Sequence, residues 1–220
     1  MKLLIADDHP IFRKGLKDLL IDTYPGIEII ECSTGLEAWT KIEEQTPQIS
    51  ILDINMPEMN GLEVTKKIRL NRINTKVIIL TMYKEKEMIR KAMIEGASGF
   101  VLKDFAVDEL MDCIQKVSDN KKYIGPALQN AYNEITFEDK KKQEMLEKLK
   151  SLSQGEMKTL KLVNNNKTSK EIAELLFLSE KTIENYRSKI CQKLGLPPRN
   201  NSLVLWINEN KELLSALNEF

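Results

Sequence analysis

Polar side chains suited to phosphoryl chemistry stand at the ends of four short apolar runs in the first half of the chain. They are Asp7 and Asp8, Asp53, Thr81 and Lys103. If these runs are strands of one parallel sheet, their carboxyl ends share an edge, which is where open α/β sheets bind ligands. Three carboxylates at one edge repel each other unless a cation binds, and Mg²⁺ prefers carboxylate and phosphate oxygens.

A carboxylate next to a divalent cation can attack a phosphorus centre and form an acyl phosphate. The Thr81 hydroxyl and the Lys103 ammonium can then neutralise the phosphoryl oxygens. A single Asp after a strand is more often a turn residue or a helix cap. An acidic pair, an Asp, a Thr and a Lys that all stand at strand ends favour one shared site. The only histidine, His9, is expected to be a loop residue beside the site, and a metal centre of several histidines is excluded.

The apolar runs that must position these groups recur about every 25 residues. They are Lys2–Ala6, Ile27–Glu31, Ile49–Ile54, Lys76–Thr81 and Gly99–Lys103. Their residues do not alternate between apolar and polar, which is typical of strands buried on both faces of a parallel sheet. Amphipathic helical patterns lie between them, so residues 1–120 are predicted to form a five-stranded, doubly wound α/β domain.

The second half of the sequence predicts a linker and a small helical domain. Residues 121–148 contain charge runs and no strand signal, and they are expected to become helical from about Glu138. Residues 149–213 predict only helices, with residues 214–220 as a tail. Ser153 and Thr168 each precede a Glu by three residues in a capping-box pattern, and Ser179 is a third candidate N-cap.

Charge is distributed unevenly along the chain. The 220 residues include 33 Lys+Arg and 33 Asp+Glu, which gives a formal net charge of zero. Residues 151–200 nevertheless hold 9 basic and 5 acidic side chains, a net charge of +4. The three cysteines lack paired spacing, and no apolar run approaches the roughly 20 residues of a membrane span. These features predict a cytoplasmic protein without a membrane partner.

Residues 169–194 predict a helix, a short turn and a second helix. Apolar side chains of the second helix fall on one stripe, namely Ile183, Tyr186, Ile190 and Leu194. The opposite face is polar, and such a face fits the major groove of DNA, where base edges present a readable pattern of donors and acceptors. The residues alone leave open the alternative that this is an ordinary solvated helix face.

Four strings in the first half resemble the receiver domain of two-component response regulators: "LLIADDHPIFRKGL", "ISILDINMPEMNGLEV", "VIILTM" and "EGASGFVLKD". The resemblance implies that Asp53 is phosphorylated by a sensor histidine kinase. It also implies that Mg²⁺ is bound by Asp7, Asp8 and Asp53 and by the backbone carbonyl of Asn55. Thr81 and Lys103 would contact the phosphoryl group, and Phe100 would be the rotating aromatic of the switch.

The string "LSQGEMKTLKLVNNNKTSKEIAELLFLSEKTIENYRSKICQKLGL" resembles the LuxR-type helix-turn-helix. Together with a receiver domain, it identifies the chain as similar to NarL/FixJ-type response regulators. The resemblance implies that the phosphorylated chain forms a homodimer and binds two half-sites of double-stranded DNA. The implied DNA contacts are Lys170, Lys181, Thr182, Glu184, Asn185, Arg187, Ser188 and Lys189. Of these, Glu184, Asn185 and Ser188 would read bases.

Two alternative functions match part of the sequence. A Mg²⁺-dependent phosphatase with an aspartyl nucleophile needs a general acid two residues after the nucleophile. This chain has Asn55 at that position, which argues against the phosphatase. A receiver-gated module that binds protein rather than DNA is favoured by Glu184, because this acid stands where the family often has a basic residue. Selection of DNA ligands from a random pool discriminates between the DNA-binding and protein-binding interpretations.

Overall fold

The chain folds into two compact units, Met1–Phe137 and Glu138–Phe220. The computed structural model describes residues 1–197, 199 and 201–216, so the predicted tail at 214–220 lies outside the described residues from 217 onward. Each unit has an apolar core of its own. Within the described residues, no helix is long and apolar enough to cross a membrane.

Unit 1 is built on a six-stranded parallel sheet with the order β2-β1-β3-β4-β5-β6. The strands are β1 (Lys2–Ala6), β2 (Glu28–Cys32), β3 (Ile49–Asp53), β4 (Lys76–Thr81), β5 (Gly99–Leu102) and β6 (Tyr123–Ile124). The helices between them are α1 (Pro10–Thr23), α2 (Gly35–Gln45), α3 (Gly61–Leu70), α4 (Lys86–Glu95) and α5 (Ala106–Ser118). The predicted fold class, a doubly wound flavodoxin-like sheet followed by a helical region, is confirmed.

Successive side chains of the central strands enter opposite cores, and this explains the missing alternation in the sequence. Leu3 and Ile5 pack with residues of α1 and α5, while Leu4 and Ala6 pack with residues of α2, α3 and α4. All four side chains are at most 1% exposed. Because both faces of β1 are covered from Leu3 onward, its residues stay apolar from there until the strand ends and reaches the polar edge of the sheet.

The segment after α5 differs from the sequence prediction. No strand was expected there, yet Tyr123–Ile124 form β6, in which Ile124 pairs with Phe100 of β5. A two-residue strand is too short to give a periodic pattern, which is why the prediction was wrong. The next helix, α6 (Gln129–Lys150), begins nine residues before the expected Glu138. Leu128 and Ile135 are buried in the core of unit 1.

Unit 2 is helical and contains the predicted helix-turn-helix. Its elements after α6 are α7 (Gln154–Asn164), α8 (Ser169–Leu176), α9 (Glu180–Leu194), α10 (Ser202–Glu209) and α11 (Lys211–Ala216). Ser153 and Thr168 form complete capping boxes, and the Ser179 side chain accepts from the Thr182 N–H, so all three predicted caps are confirmed. Gly195 ends α9 with a positive φ of 73°, a conformation that favours glycine.

The capping residue Glu156 also joins α7 to α9. Its carboxylate accepts hydrogen bonds from the Ser153 N–H and from Lys193 Nζ, both at 2.7 Å. The side chain is 5% exposed. The Lys193 ammonium, and next the Ser153 N–H, lower the pKa of Glu156 below its ordinary value of 4.5. A carboxyl whose pKa is lowered by folding stabilises the folded state above pH 4.5, and this contribution is lost as the pH falls through the lowered value.

We therefore expect Glu156→Gln to destabilise unit 2 by about 1 kcal/mol at neutral pH and by progressively less as the pH falls below 4.5 through the lowered pKa of the wild-type carboxyl. Thermal unfolding followed by Trp206 fluorescence in a Trp39→Phe background reports on unit 2, since Trp206 lies in its core. Glu174→Gln changes an exposed acid of the same unit and is the control. A difference between wild type and Glu156→Gln that does not shrink at low pH would contradict this account.

Candidate functional site

The carboxyl edge of the sheet in unit 1 brings together the strand-end residues predicted from the sequence. Asp7 follows β1, Asp53 ends β3 and Thr81 ends β4, and their exposed fractions are 1%, 4% and 0%. Buried polar groups in such positions require partners, because removing them from water is costly. The arrangement therefore needs a shared hydrogen-bonding or ionic partner within the site.

Lys103, the first residue after β5, is that partner. Its Nζ donates a hydrogen bond to Asp53 Oδ2 at 2.8 Å and lies 2.8 Å from Asp7 Oδ2. Burial lowers the pKa of Lys103, but Asp53 and Asp7 together raise it above its ordinary value, so the ammonium is charged at neutral pH. Burial raises the pKa of Asp53, and Asp7 adds to the increase while Lys103 opposes it. The Lys103 ammonium thus pairs with two buried carboxylates.

Asp8 and His9 extend the acidic cluster toward solvent. Ligand atoms of Asp7, Asp8, His9 and Asp53 all lie within 4.8 Å of one another. The side chain of Asp8 is 37% exposed, whereas that of Asp7 is 2% exposed. Carboxylate oxygens concentrated in this way are the donor set that hard divalent cations require, so the residues present fit Mg²⁺. His9 was expected beside the site; it is the N-cap of α1 and contacts both neighbouring carboxylates.

A side chain that the sequence analysis missed, Tyr83, connects the two loops of the site. Its hydroxyl accepts a hydrogen bond from Asn55 Nδ2 at 2.7 Å, and its backbone N–H donates to Thr81 Oγ1 at 3.0 Å. Tyr83 lies only two residues beyond Thr81, so its proximity to the strand end was a usable signal. The contact with Asn55 depends on the path of two loops and has no signature in the sequence.

The loop that carries Asp53 is fixed by the start of α3. Asn60 and Glu63 form a capping box, and the Gly61 N–H donates to the Ile54 carbonyl at 3.0 Å. A Cβ atom at Gly61 would collide with the backbone carbonyl of Asp53, so only glycine permits this approach. The end of β3 is therefore held against α3, which limits movement of the Asp53 backbone.

Phe100 lies in the middle of β5, away from solvent. Its side chain is completely buried and packs in the core that also contains Leu128 and Ile135 from the segment after α5. Its backbone carbonyl accepts from the Gly125 N–H at 2.9 Å. The candidate switch residue is therefore in the same core as the start of α6.

Helix α9 in unit 2 presents the predicted polar face. Ile183, Ile190 and Leu194 are buried, and Tyr186 is half-buried beside Gly155. The exposed candidates on α9 are Lys181, Glu184, Asn185, Ser188 and Lys189, and Lys170 is exposed on α8. Arg187 is half-buried, as is Thr182, whose hydroxyl lies 2.8 Å from the Ser179 hydroxyl of the helix cap. Thr182 thus has a structural role in addition to any contact with a ligand.

Comparison with known proteins assigns both units to families. Residues 3–115 match the response regulator receiver domain, and residues 150–205 match the bacterial regulatory proteins of the luxR family. The transcriptional regulatory protein YhcZ of Bacillus subtilis is 34% identical over 96% of this chain and 97% of its own. The DNA-binding transcriptional activator DevR/DosR of Mycobacterium tuberculosis is 30% identical over 93% of each chain.

Among solved structures, the RcsB response regulator of Salmonella typhimurium has a similar fold. It matches with a TM-score of 0.56 and 24% identity, over 94% of this chain and 98% of that chain, in a structure that concerns its interaction with DNA. At this identity the match shows the fold alone. The two domain matches and the nearly full-length relatives show more: the chain belongs to the two-component response regulators that carry a receiver domain followed by a LuxR-type DNA-binding domain.

Proposed function

We propose that Asp53 accepts a phosphoryl group from a sensor histidine kinase and that this modification controls binding of α9 to promoter DNA. The observation that carries the proposal is the cluster of Asp53, Asp7, Thr81 and Lys103 at one sheet edge, in a chain whose second unit is a helix-turn-helix. The boundaries proposed for these activities are residues 1–120 for the receiver, 121–148 for the linker and 149–213 for the DNA-binding domain.

In the phosphotransfer step, a carboxylate oxygen of Asp53 attacks the phosphorus atom of the phosphohistidine. The bond between phosphorus and the imidazole nitrogen breaks, and an acyl phosphate forms on Asp53. Lys103 Nζ already lies 2.8 Å from Asp53 Oδ2 and can follow the new phosphoryl oxygens, and the Thr81 hydroxyl is the second donor. The carboxylates of Asp7, Asp8 and Asp53 and the Asn55 carbonyl would hold Mg²⁺, which supplies further positive charge.

The reaction at this site modifies a residue of the chain itself. It does not convert a separate substrate into a released product. The same residues would allow Asp53 to accept a phosphoryl group from a small phosphodonor and later to lose it to water. We place the protein in the cytoplasm, where such a kinase and promoter DNA are both accessible.

Movement of Thr81 toward the phosphoryl group would leave room for Phe100 to rotate. Because Phe100 is fully buried with Leu128 and Ile135, rotation requires repacking of the segment that leads into α6. Such a two-state element can convert a local change of charge into a change of surface. We propose that the new surface forms a homodimer, which presents two copies of α9 to two half-sites of double-stranded DNA.

In the groove, Asn185 is suited to adenine and Glu184 to cytosine, with Ser188 as a third base-edge contact. The remaining candidates, Lys170, Lys181, Thr182, Arg187 and Lys189, suit phosphate oxygens. The net charge of +4 over residues 151–200 is modest, so one copy should bind weakly and depend on its partner for affinity.

Selection of DNA ligands from a random duplex pool tests the proposal, with the full chain and with or without a small phosphodonor. We expect enrichment of a paired half-site motif in the phosphorylated sample. On the selected duplex, Asn185→Ala should weaken binding by about tenfold or more, because a bidentate contact to a base is lost. Asn208→Ala, which alters an exposed amide on α10, should leave binding unchanged. Absence of enrichment under every condition would refute DNA binding and favour the protein-binding module.

A further inference from the structure

The only histidine of the chain, His9, lies among the carboxylates of the cation site. Its Nδ1 is 2.7 Å from Asp8 Oδ1 and 3.1 Å from Asp7 Oδ1. Its backbone N–H donates to the same Asp7 oxygen at 2.9 Å, which fixes His9 at the start of α1. The side chain is 66% exposed, so its ring faces the two carboxylates from the open side of the site.

These separations suit donor atoms that share one metal ion. Two ligands that bind an octahedral ion at about 2.1 Å and at right angles to each other lie about 3 Å apart. The distances from His9 Nδ1 to the two carboxylate oxygens fall on either side of this value. Asp53 also offers an oxygen within 4.8 Å of the other three groups. The donor set therefore contains an imidazole nitrogen as well as carboxylate oxygens.

We propose that His9 Nδ1 is a direct ligand of this cation site and that the site consequently prefers first-row transition-metal dications to Mg²⁺. The inference rests on the proposed function, because that function places a cation among the same carboxylates. A nitrogen ligand adds affinity for transition metals along the Irving–Williams series, whereas Mg²⁺ is bound through oxygen. Mg²⁺ and a transition-metal dication carry equal charge, so either ion would present the same charge to the phosphoryl oxygens.

The same geometry allows one opposing role for His9. The two roles predict opposite changes in cation affinity when His9 is removed. If His9 only forms an ion pair with Asp7 and Asp8, its ring competes with the cation, and removing it strengthens binding. If His9 is a ligand, removing it weakens the binding of transition metals much more than the binding of Mg²⁺.

Titration of the untagged, full-length chain with Mn²⁺ separates the two roles. Electron paramagnetic resonance measures free Mn²⁺, and competition gives the affinity for Mg²⁺. We expect His9→Gln to lower Mn²⁺ affinity by at least about tenfold and to change Mg²⁺ affinity by less than about threefold. Spin-echo modulation from an imidazole nitrogen should be present in the wild type and absent in His9→Gln. Since the chain has one histidine, ¹⁵N-histidine labelling assigns this signal without ambiguity.

Two further variants complete the test. Asp18→Asn removes an exposed carboxylate from α1, and Mn²⁺ affinity should stay at the wild-type value. Asp8→Asn should weaken binding of both cations, because it removes a proposed ligand. Unchanged or tighter Mn²⁺ binding in His9→Gln, or no imidazole modulation in the wild type, would overturn the role of His9 while Asp8→Asn still supports the cation site. Wild-type affinity for both cations in Asp8→Asn would overturn the proposed cation site itself.

Discussion

Replacing Asp53 with Asn is expected to abolish labelling of the chain by a radioactive small phosphodonor in the presence of Mg²⁺. The amide has no carboxylate oxygen to attack phosphorus, and the proposal assigns the attack to Asp53 alone, with Asp7 and Asp8 as cation ligands. The expected loss is complete rather than partial, because the nucleophile itself is removed. Incorporation into the wild-type chain that is released by hydroxylamine, as expected of an acyl phosphate, gives the reference.

The fold should tolerate this change, which makes the result interpretable. Burial already raises the pKa of Asp53, so the charged form is costly in the folded chain. Asn removes that cost while it loses the ion pair with Lys103, and the two effects oppose each other; we expect a net change within about 1 kcal/mol. Asp104→Asn, which neutralises an exposed acid next to Lys103, should label like the wild type. Persistent labelling of Asp53→Asn would refute the assignment of the phosphoacceptor.

The strand-end residues could be predicted because parallel topology carries residues far apart in sequence to the same edge. Asp7, Asp53 and Lys103 are separated by 46 and 50 positions, yet Lys103 Nζ is 2.8 Å from both carboxylates. Each strand that carries one of these residues is recognisable as a run of buried apolar residues, and the polar residue stands at the end of that run. Local patterns of three or four residues likewise predicted the caps at Ser153 and Ser179, since capping depends only on neighbouring backbone donors.

Contacts that depend on the path of a loop were not predictable in this way. The hydrogen bond from Asn55 Nδ2 to the Tyr83 hydroxyl joins two loops whose conformations no periodic pattern encodes. Lys193 reaches Glu156 across 37 positions only because α7 and α9 pack together. The strand β6 is stabilised by pairing with β5 rather than by its own sequence pattern, so the segment after α5 was expected to remain outside the sheet.

Lys103→Met is expected to destabilise unit 1 by about 3 kcal/mol and to slow phosphodonor labelling by about a hundredfold or more. The first effect arises because Asp7 and Asp53 lose the ammonium they share and face each other as buried charges. The second arises because a donor aimed at the phosphoryl oxygens is removed. Denaturant unfolding monitored by Trp39 in a Trp206→Phe background measures the first effect, since Trp39 packs in a core of unit 1.

Lys41→Met is the control, because Lys41 pairs with Glu44 on the exposed surface of α2 and contributes at most about 0.5 kcal/mol. The double variant Lys103→Met with Asp7→Asn, compared with Asp7→Asn alone, then separates structure from chemistry, because Asp7 is itself a proposed Mg²⁺ ligand. Neutralising Asp7 removes the repulsion, so the double variant should be more stable than Lys103→Met by more than about 1 kcal/mol, while it still labels more slowly than Asp7→Asn because no ammonium is restored. If the double variant labels as fast as Asp7→Asn alone, Lys103 acts by holding the carboxylates apart rather than by contacting the phosphoryl group.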